Sequence, residues 1–487
     1  MHKLTKTNFL QYLACPEELW LAMNTGGHPT TPSLSALHMM EQGNLIDGLG
    51  RTYFEDNFAA EIAENGSEAR FQESFETDQF LVRADMLAVN DQANSLVLYE
   101  VKATTSSKSD HILDVAFQKM VIASTGYTVE RCYLVYLDKN YVLDDELMLP
   151  ELFVVEDVSD QVNEAYQGVK AAAAAAFAYI NGPEPARRIT VGCGNKLQCA
   201  FVAYHYTDLP SYPVHDIARI NVKKLEALVL DNILDIMEVP ADFKLSRPQR
   251  LQVDIAQRNQ VIIDHKAIAK ELENLVYPLY FLDYETFAYA VPFQNGHRPY
   301  QQLLFQYSLH VIQSPGAAIS HHEYLLRDKQ ELVSQLLFSL RENMDAESGT
   351  VLVWNKSFEQ GRNKECADIY PAYADFLLSV NDRVYDLRDV FQKGFYLHPG
   401  FKGKTSLKSV LPVLCPELSY ETLAIQNGGE ANIKWHHWTE GQFQGDENDS
   451  TKEALLAYCE LDTWAMVRIW QELEQVTRPG SAGNGPR

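Results

Sequence analysis

Two acidic residues at the end of a mostly apolar run could bind a divalent metal ion. Asp283 and Glu285 follow the stretch 277–282 and are separated by one residue. In a β-strand, residues two apart point to the same face, so both carboxylates would lie together. Hard cations such as Mg²⁺ prefer oxygen ligands and keep several waters, which leaves room for a phosphate group. This spacing is common by chance, so the pair gains meaning only with further acids.

Further candidate residues follow at two later places in the chain. Glu359 comes just after the strand-like run 351–354, and α/β sheets usually assemble their sites beyond strand ends. Tyr458 and Asp462 are four residues apart, so in a helix they share one face. A capping box, Ser-x-x-Glu at residues 450–453, predicts that this helix begins there. The pattern predicts one site built from three separate segments.

In this order the pieces resemble the DEDD superfamily of 3′ to 5′ exonucleases, which have an RNase H-like fold. The resemblance implies that the acids bind two metal ions, Mg²⁺ or Mn²⁺, while Tyr458 orients the attacking water. The acids are Asp283, Glu285, Glu359 and Asp462. The second motif normally ends in Asp, and Glu359 is one methylene longer. Asp386 is a further acid that could take its place.

A second group of acids, with a lysine, lies in the first fifth of the chain. Asp85 falls in the strand-like run 80–89, and Glu100 and Lys102 alternate along the run 95–103. Strand geometry places the side chains of Glu100 and Lys102 on one face. Asp85 and Glu100 could bind a metal ion, with Lys102 polarising phosphate or helping to activate water. A surface ion pair between Glu100 and Lys102 is the alternative.

This second arrangement resembles the PD-(D/E)XK nucleases. The helix-like run 111–123 supplies Gln118, which is similar to the glutamine motif of the RecB-like branch. The tyrosine that often follows four residues later is Ile122 here, so the motif is incomplete. The resemblance implies a restriction-endonuclease-like fold in which Gln118 joins the two acids and the lysine as a catalytic residue.

Cysteine and histidine residues frame this first region. Cys15 opens it, Cys193 and Cys199 close it, and His205 follows six residues later. They resemble the ligands of iron–sulfur nucleases of the RecB and CRISPR-associated type, in which one early and three late cysteines hold a cluster. With one imidazole, the set suits an iron–sulfur cluster or Zn²⁺, and buried cysteines without a metal are the alternative. The remaining cysteines lack ligand-like spacing and are predicted to be core residues. They are Cys132, Cys366, Cys415 and Cys459.

The order of predicted elements gives an α/β chain with two domains, since 487 residues are too many for one ordinary core. A PD-(D/E)XK domain is predicted over residues 1–205, with an opening helix over 7–23. A helical connector is predicted over 206–273, and an RNase H-like mixed sheet over 274–477. Residues 478–487 are predicted to be disordered because glycine, proline and polar residues dominate them.

Composition restricts the kind of partner. The formal net charge of −25 argues against coating nucleic acid through bulk charge, but a short basic stretch at 383–408 could still hold a few phosphates. No segment approaches the roughly 20 apolar residues of a membrane span. The polar N-terminus does not lead into a signal-peptide core. We therefore predict a cytoplasmic protein without membrane contact.

Across nearly its whole length the chain resembles a bacterial family of uncharacterised proteins in which a RecB-like nuclease domain precedes a DEDD-type domain. The resemblance implies a metal-dependent nuclease that processes or trims nucleic acid, DNA rather than RNA, with a helicase or other DNA-processing protein as partner. The alternative is a binding protein with one or both sites inactive, which Glu359, Ile122 and His205 favour. Because Glu359 departs from its motif, the Asp85 set is expected to be the better catalytic candidate.

Overall fold

The chain folds into two units, each built around its own β-sheet. The computed structural model describes residues 2–26, 34–185, 201–202, 206, 208–329, 331–345 and 347–478. The first unit comprises Met1–Thr207 with Ala288–Gln301, and the second comprises Asp208–Phe287 with Gln302–Arg487. The predicted tail lies, except for Arg478, outside the described residues. Both units combine helices with a mixed sheet, so the prediction of an α/β chain is confirmed.

The first unit contains a six-stranded sheet with helices between its strands along the chain. Its strands are β1 (Leu4–Thr5), β2 (Glu68–Glu76), β3 (Phe80–Asn90), β4 (Ser95–Lys102), β5 (Thr128–Leu137) and β6 (Phe153–Asp157). Its helices are α1 (Lys6–Ala14), α2 (Pro16–Asn24), α3 (Leu34–Glu64), α4 (Ser109–Ser124), α5 (Leu149–Leu152) and α6 (Ser159–Ile180). Helix α4 joins the parallel strands β4 and β5, as a parallel pair requires a crossover connection.

Strands β1 and β4 pair with the same edge of β3, and β2 pairs with the other edge. Strand β2 pairs antiparallel with β3 as far as Glu76 opposite Leu81, and β1 pairs with β3 in parallel, with Thr5 also opposite Leu81. Because Leu81 pairs with both, β2 and β1 take opposite edges. Strand β4 pairs antiparallel with β3 from Asn90 to Met86, so it shares the edge with β1. Residues 82–85 of β3 lie between the β1 and β4 ladders.

Strand β3 changes its face within this interval. Ala84 and Leu87 pack in the core cluster that contains α4 and α6, whereas Met86 packs in the cluster that contains α3. Regular alternation would place Ala84 and Met86 on the same face, so the strand changes parity at Asp85. On β2, Gln72 has a φ of 52°, in the left-handed region. Such irregularities re-aim side chains and are frequent beside functional sites.

The second unit holds a five-stranded sheet and a two-stranded one. Its strands are β7 (Ile262–Ile263), β8 (Leu279–Ala288), β9 (Gln302–Ile312), β10 (Ile319–Leu325), β11 (Thr350–Val353), β12 (Val384–Asp386) and β13 (Tyr396–Leu397). Its first five helices in the described residues are α7 (Val222–Leu230), α8 (Arg247–Arg258), α9 (His265–Glu273), α10 (Val333–Asn343) and α11 (Lys356–Ile369). The later helices are α12 (Ala374–Asp382), α13 (Asp389–Gln392), α14 (Leu407–Leu414), α15 (Gly428–Thr439) and α16 (Asp446–Thr477).

The larger sheet has the order β10-β9-β8-β11-β12. Strands β10 and β9 are antiparallel, while β11 runs parallel to both β8 and β12. Tyr307 of β9 hydrogen bonds to Ser339 of α10 (2.8 Å), and Ser308 hydrogen bonds to Thr463 of α16 (2.7 Å). Since neighbouring strand residues face opposite sides, α10 and α16 cover opposite faces of the sheet. This double cover explains why β9 is buried along nearly its whole length.

Two local predictions were wrong. The opening helix predicted over 7–23 is two helices, α1 and α2, separated at Cys15. Pro16 is the first residue of α2, where its missing N–H costs no helical hydrogen bond, but it cannot continue α1. The capping box at Ser450 does not start α16, which begins at Asp446. The Ser450 hydroxyl donates instead to the Glu447 carbonyl (3.1 Å) inside the helix.

Within the described residues, no helix is both long enough and apolar enough to cross a membrane.

Candidate functional site

Three carboxyl groups of the second unit meet where β8 extends beyond β11. The parallel ladder between these strands reaches Phe281 opposite Leu352, so Asp283 and Glu285 lie past it on β8. Asp462 of α16 approaches the same face. One oxygen from each carboxyl group lies within 4.8 Å of the other two. The structure thus brings together three of the acids that the sequence predicted as metal ligands.

Burial makes these carboxyl groups difficult to ionise. It raises the pKa of Glu285 to about 8 and that of Asp462 to about 6. It also raises the pKa of Asp283 well above its ordinary value, and the charges of Asp462, Glu285 and Glu359 raise it further. A divalent cation would offset both effects, since it brings positive charge to oxygen ligands that burial has removed from water.

Two tyrosines and a lysine surround Asp462. The Tyr420 hydroxyl donates a hydrogen bond to Asp462 Oδ1 (2.5 Å), and Lys408 Nζ donates to the Tyr458 hydroxyl (3.2 Å). Lys408 Nζ also lies 5.1 Å from the ring centroids of both tyrosines, within the range of a cation–π interaction. Burial, and then the charges of Asp462 and Glu285, raise the pKa of Tyr458. Its hydroxyl therefore keeps its proton at neutral pH.

The N-terminus of α15 borders the same site. A Cβ atom added at Gly428, the first residue of this helix, would lie 3.5 Å from Glu285 Oε2 and 4.0 Å from the Tyr458 hydroxyl. The Asn427 side chain caps the helix by accepting from the Glu430 amide (2.9 Å). The positive end of a helix dipole thus lies beside the carboxylates, where it favours negative charge.

Glu359 is near this group but does not belong to its closest set. It lies in the first turn of α11, is 2% exposed, and its Oε2 atom has no hydrogen-bond partner among the described residues. Burial, and then the charge of Asp386, raise its pKa to about 8. Asp386, the other acid that could take its place, accepts hydrogen bonds from the amides of Lys356 and Arg388, both at 3.0 Å. Asp386 thus stabilises the start of α11.

The predicted first-unit residues meet in the interval between the β1 and β4 ladders. Asp85 Oδ2 accepts a hydrogen bond from the Val101 amide (3.0 Å), just beyond the last β3–β4 pair. Lys102 Nζ donates to Glu100 Oε1 (2.9 Å). Gln118 Nε2 donates to Glu100 Oε2 (2.8 Å). All four predicted residues therefore belong to one connected group, and Glu100 is only 1% exposed.

Two further residues complete this group. Lys6 is the first residue of α1 and follows β1 directly. Because β1 pairs with the same edge of β3 as β4, Lys6 lies close to Asp85 and Glu100. Its Nζ lies 2.7 Å from Glu100 Oε1 and 3.9 Å from Asp85 Oδ1. Asp114 of α4 accepts hydrogen bonds from Lys102 Nζ (2.5 Å) and Gln118 Nε2 (3.2 Å). Two ammonium groups thus contact Glu100, the central carboxylate.

The surrounding charges and burial shift the pKa values of the two predicted metal-binding acids in opposite directions. Burial opposes ionisation of Glu100, but the ammonium groups of Lys102 and Lys6 outweigh it and lower its pKa to about 2. Burial, and then the Glu100 charge, raise the pKa of Asp85 to about 8. Among the described residues, Asp85 and Glu100 form no close set of three metal ligands. A metal ion between them would have to displace Lys6.

The predicted cysteine ligand set falls mostly outside the described residues. Cys193, Cys199 and His205 are not among them. Cys15 lies between α1 and α2, with Sγ 3.8 Å from Glu17 Oε2. The iron–sulfur or Zn²⁺ site stays a prediction. The four remaining cysteines are buried, as predicted for core residues, but Cys459 also has Sγ 3.8 Å from Asp283 Oδ2.

The basic stretch predicted to hold phosphates makes contacts within the chain. Lys393 pairs with Glu271 and Lys404 pairs with Asp216, each at 3.1 Å. Lys408, in contrast, points to the carboxylates of the second unit, whose charges partly offset the fall in its pKa caused by burial. Of this stretch, Lys408 is therefore the residue that the site can use.

Sequence reasoning missed several members of the two groups. Asp114 had a usable signal, because it precedes Gln118 by four residues and so shares its helix face. Lys6 and Tyr420 had none, since each reaches its site from a different segment, and Lys408 was predicted only as part of the basic stretch 383–408. Lys6, for example, is 94 residues from Glu100.

The known proteins that this chain resembles are described as uncharacterized. Residues 280–406, which include Asp283, Glu285 and Glu359, match a family described as a domain of unknown function, DUF2779. The chain is 24% identical over 288 residues to the uncharacterized protein UU173 of Ureaplasma parvum, a match covering 54% of this chain and 41% of the relative. It is 24% identical over 216 residues to the uncharacterized protein MG366 of Mycoplasma genitalium, covering 39% and 31%. The chain thus spans less than half the length of either relative.

Proposed function

We propose that this chain is a metal-dependent nuclease that hydrolyses phosphodiester bonds of nucleic acid, with its principal site in the second unit. The observation that carries the proposal is the set of three carboxyl groups, Asp283, Glu285 and Asp462, whose oxygens approach within 4.8 Å of one another. Three acids at this distance, two of them buried and one partly buried, repel one another when ionised, and folding alone does not favour such an arrangement. Binding of a divalent cation would explain why these three acids lie together.

The donor set fits Mg²⁺ or Mn²⁺. These cations prefer carboxylate oxygens, and the three acids supply oxygen ligands from a rigid strand and a long helix. Such an ion, when bound, polarises a phosphoryl oxygen and lowers the pKa of coordinated water. Glu359, with its unpartnered buried oxygen, is close enough to raise the pKa of Asp283 and is the natural fourth acid.

The surrounding residues have separate roles in phosphodiester hydrolysis. Tyr458, which keeps its proton, can orient a water or phosphate oxygen through a hydrogen bond but cannot act as a base. Lys408 holds the Tyr458 hydroxyl and brings positive charge toward the scissile phosphate, where it stabilises developing negative charge. Tyr420 fixes Asp462 through its short hydrogen bond. The N-terminus of α15 adds backbone N–H groups that favour a phosphate.

The sheet of the second unit supports an RNase H-like assignment. An antiparallel pair lies on one side of β8, parallel strands lie on the other, and the central strand carries the first acids. In the first unit, the succession α3-β2-β3-β4-α4-β5 and the Asp85, Glu100, Lys102 and Gln118 group support a PD-(D/E)XK assignment. We therefore extend the proposal to two nuclease-type folds, and the resemblance found in the sequence makes DNA rather than RNA the proposed substrate.

The second candidate function is nucleic-acid or partner binding by an inactive first unit. The contact of Lys6 with Glu100 favours it, because a cation already neutralises the acid that a metal would need. The sequence favoured the Asp85 set as the better catalytic candidate, whereas this geometry favours the Asp283 set. In a mixed arrangement, the first unit would hold the strand and the second would cut it.

The test is degradation of end-labelled single- and double-stranded DNA and RNA with Mg²⁺ or Mn²⁺. Full-length wild type is compared with Asp283→Asn, with Asp85→Asn and with the control Asp449→Asn, an exposed acid on the same helix as Asp462. We expect Asp283→Asn to lose at least about 10³-fold in rate, since a metal ion supplies several kcal/mol of transition-state stabilisation. The control should keep full activity. Equal rates for wild type and Asp283→Asn would refute the proposal.

A further inference from the structure

A second group of ligand-type side chains lies on the sheet of the second unit, apart from the carboxylates. His310 of β9 and His321 of β10 are direct partners in the antiparallel ladder, and Glu460 comes from α16. One nitrogen of each imidazole and one oxygen of the carboxylate lie within 4.8 Å of one another. His321 Nδ1 is 3.8 Å from Glu460 Oε1. This group contains nitrogen donors, which the Asp283 set lacks.

Buried hydroxyl groups fix the orientation of both imidazole rings. Thr463 Oγ1 lies 2.8 Å from His310 Nδ1, and Ser308 Oγ lies 2.9 Å from His321 Nε2. The two hydroxyl oxygens are themselves 2.7 Å apart. Metal-binding histidines characteristically use their second ring nitrogen in this way, which holds the ring in place.

The proton assignment of this network follows from its last bond. With the Thr463 hydroxyl donating to the Glu460 carbonyl (3.1 Å), Thr463 Oγ1 accepts from Ser308 and from His310 Nδ1. Ser308, having donated its proton to Thr463, accepts from His321 Nε2. In this assignment the hydroxyl-facing nitrogen of each imidazole carries a proton. The opposite nitrogens, His310 Nε2 and His321 Nδ1, are then the ones that could face a metal ion.

The surroundings of His310 favour a neutral imidazole. The residue is 4% exposed, and burial disfavours the charged form of an imidazole. A histidine must be neutral to bind a metal ion. The two rings stack with centroids 4.4 Å apart, while the half-exposed Glu460 carboxylate has freedom to move toward them.

We propose that His310, His321 and Glu460 bind a borderline transition-metal ion, with Zn²⁺ as the best match. Two imidazoles and one carboxylate are a known Zn²⁺ ligand set that leaves a fourth position open to water. The ion would join the β9–β10 hairpin to α16, the helix that carries Tyr458 and Asp462. The inference does not depend on the proposed nuclease function, because its ligands and its preferred metal differ from those of the carboxylates.

Zinc binding to the chelator-treated full-length chain tests this site. Wild type is titrated by calorimetry beside His321→Ala and Glu460→Gln, and circular dichroism verifies that each is folded. We expect each variant to lose one Zn²⁺ equivalent or to bind it at least 10-fold more weakly. The control is His322→Ala, whose side chain points to the opposite face of β10.

A carboxylate variant separates this site from the proposed nuclease site. Asp462→Asn removes a ligand of the Asp283 set and should keep the Zn²⁺ equivalent that His321→Ala loses. If Asp462→Asn and His321→Ala lose the same equivalent, the ion belongs to the carboxylates and the inference is wrong. Unchanged Zn²⁺ binding in both His321→Ala and Glu460→Gln would also refute it. Because the readout is metal binding, loss of nuclease activity does not affect the result.

Discussion

Replacing Glu285 with glutamine should stabilise the metal-free protein and remove its response to metal. Ionised carboxylates 4.8 Å apart repel by about 3.5 kcal/mol at an effective dielectric constant of about 20. The raised pKa values of Glu285 and Asp462 favour protonation, which relieves part of this repulsion, and burying an amide in place of the acid costs about 1 to 3 kcal/mol. We expect a net gain of about 1 to 3 kcal/mol without metal, or about 3 to 10 °C in the melting temperature.

A bound cation should provide the same relief in the wild type. At a free Mn²⁺ concentration 100 times the Kd, binding adds about 2.7 kcal/mol to the stability of the folded state. Thermal melts with Mn²⁺ and with EDTA should therefore show a large metal-induced rise for wild type. Glu285→Gln should melt higher than wild type in EDTA and respond weakly to Mn²⁺. The exposed Asp449→Asn serves as the control and should behave as wild type.

The result that would contradict this reasoning is an equal Mn²⁺ shift in wild type and Glu285→Gln. The ion would then bind elsewhere, and the three carboxyl groups would need another explanation. A Glu285→Gln chain that melts lower than wild type in EDTA would show that repulsion among these acids is not a cost to the fold.

Two other substitutions test the roles of single residues. Lys408→Met should lower kcat by about 10² to 10³-fold, as for loss of one transition-state donor, while calorimetry should find Mn²⁺ binding unchanged or tighter because a positive charge has been removed. Gly349→Ala should lower the free energy of unfolding by about 2 to 5 kcal/mol, and with it the urea midpoint, since its φ is 87° and its Cβ would lie 2.2 Å from the Pro278 carbonyl oxygen. Its control is Gly361→Ala, in a helix with nothing near the added Cβ, which should be neutral or stabilising. Unchanged turnover in Lys408→Met, or equal midpoints for the two alanine variants, would contradict these expectations.

The sequence could predict the strands and helices that have a regular pattern of apolar residues. The strand-like runs 80–89 and 95–103 appear as β3 and β4, with bounds shifted by one residue. Helix α3 escaped prediction because its buried positions include Gln42 and Gly50, so its apolar pattern is weak. The division at Cys15 and the early start of α16 also depended on local details that a periodic pattern does not contain.

The sequence by itself determined the relative directions of nearby side chains. Asp283 and Glu285 share a strand face, and Tyr458 and Asp462 share a helix face, because backbone geometry sets these relations over a few residues. Both pairs could therefore be nominated without a structure. Gln118, by contrast, was predicted only from its similarity to the glutamine motif of RecB-like nucleases.

Only the tertiary structure decided which segments meet. Packing of α16 on the sheet brings Asp462 to Asp283 and Glu460 to His310, although the histidine shows no motif in sequence. The shared edge of β3 brings Lys6 to Glu100 and decides that a cation contacts the predicted metal ligand. Such contacts depend on which apolar faces pack together across the whole unit, and short-range periodicity carries no information about that choice.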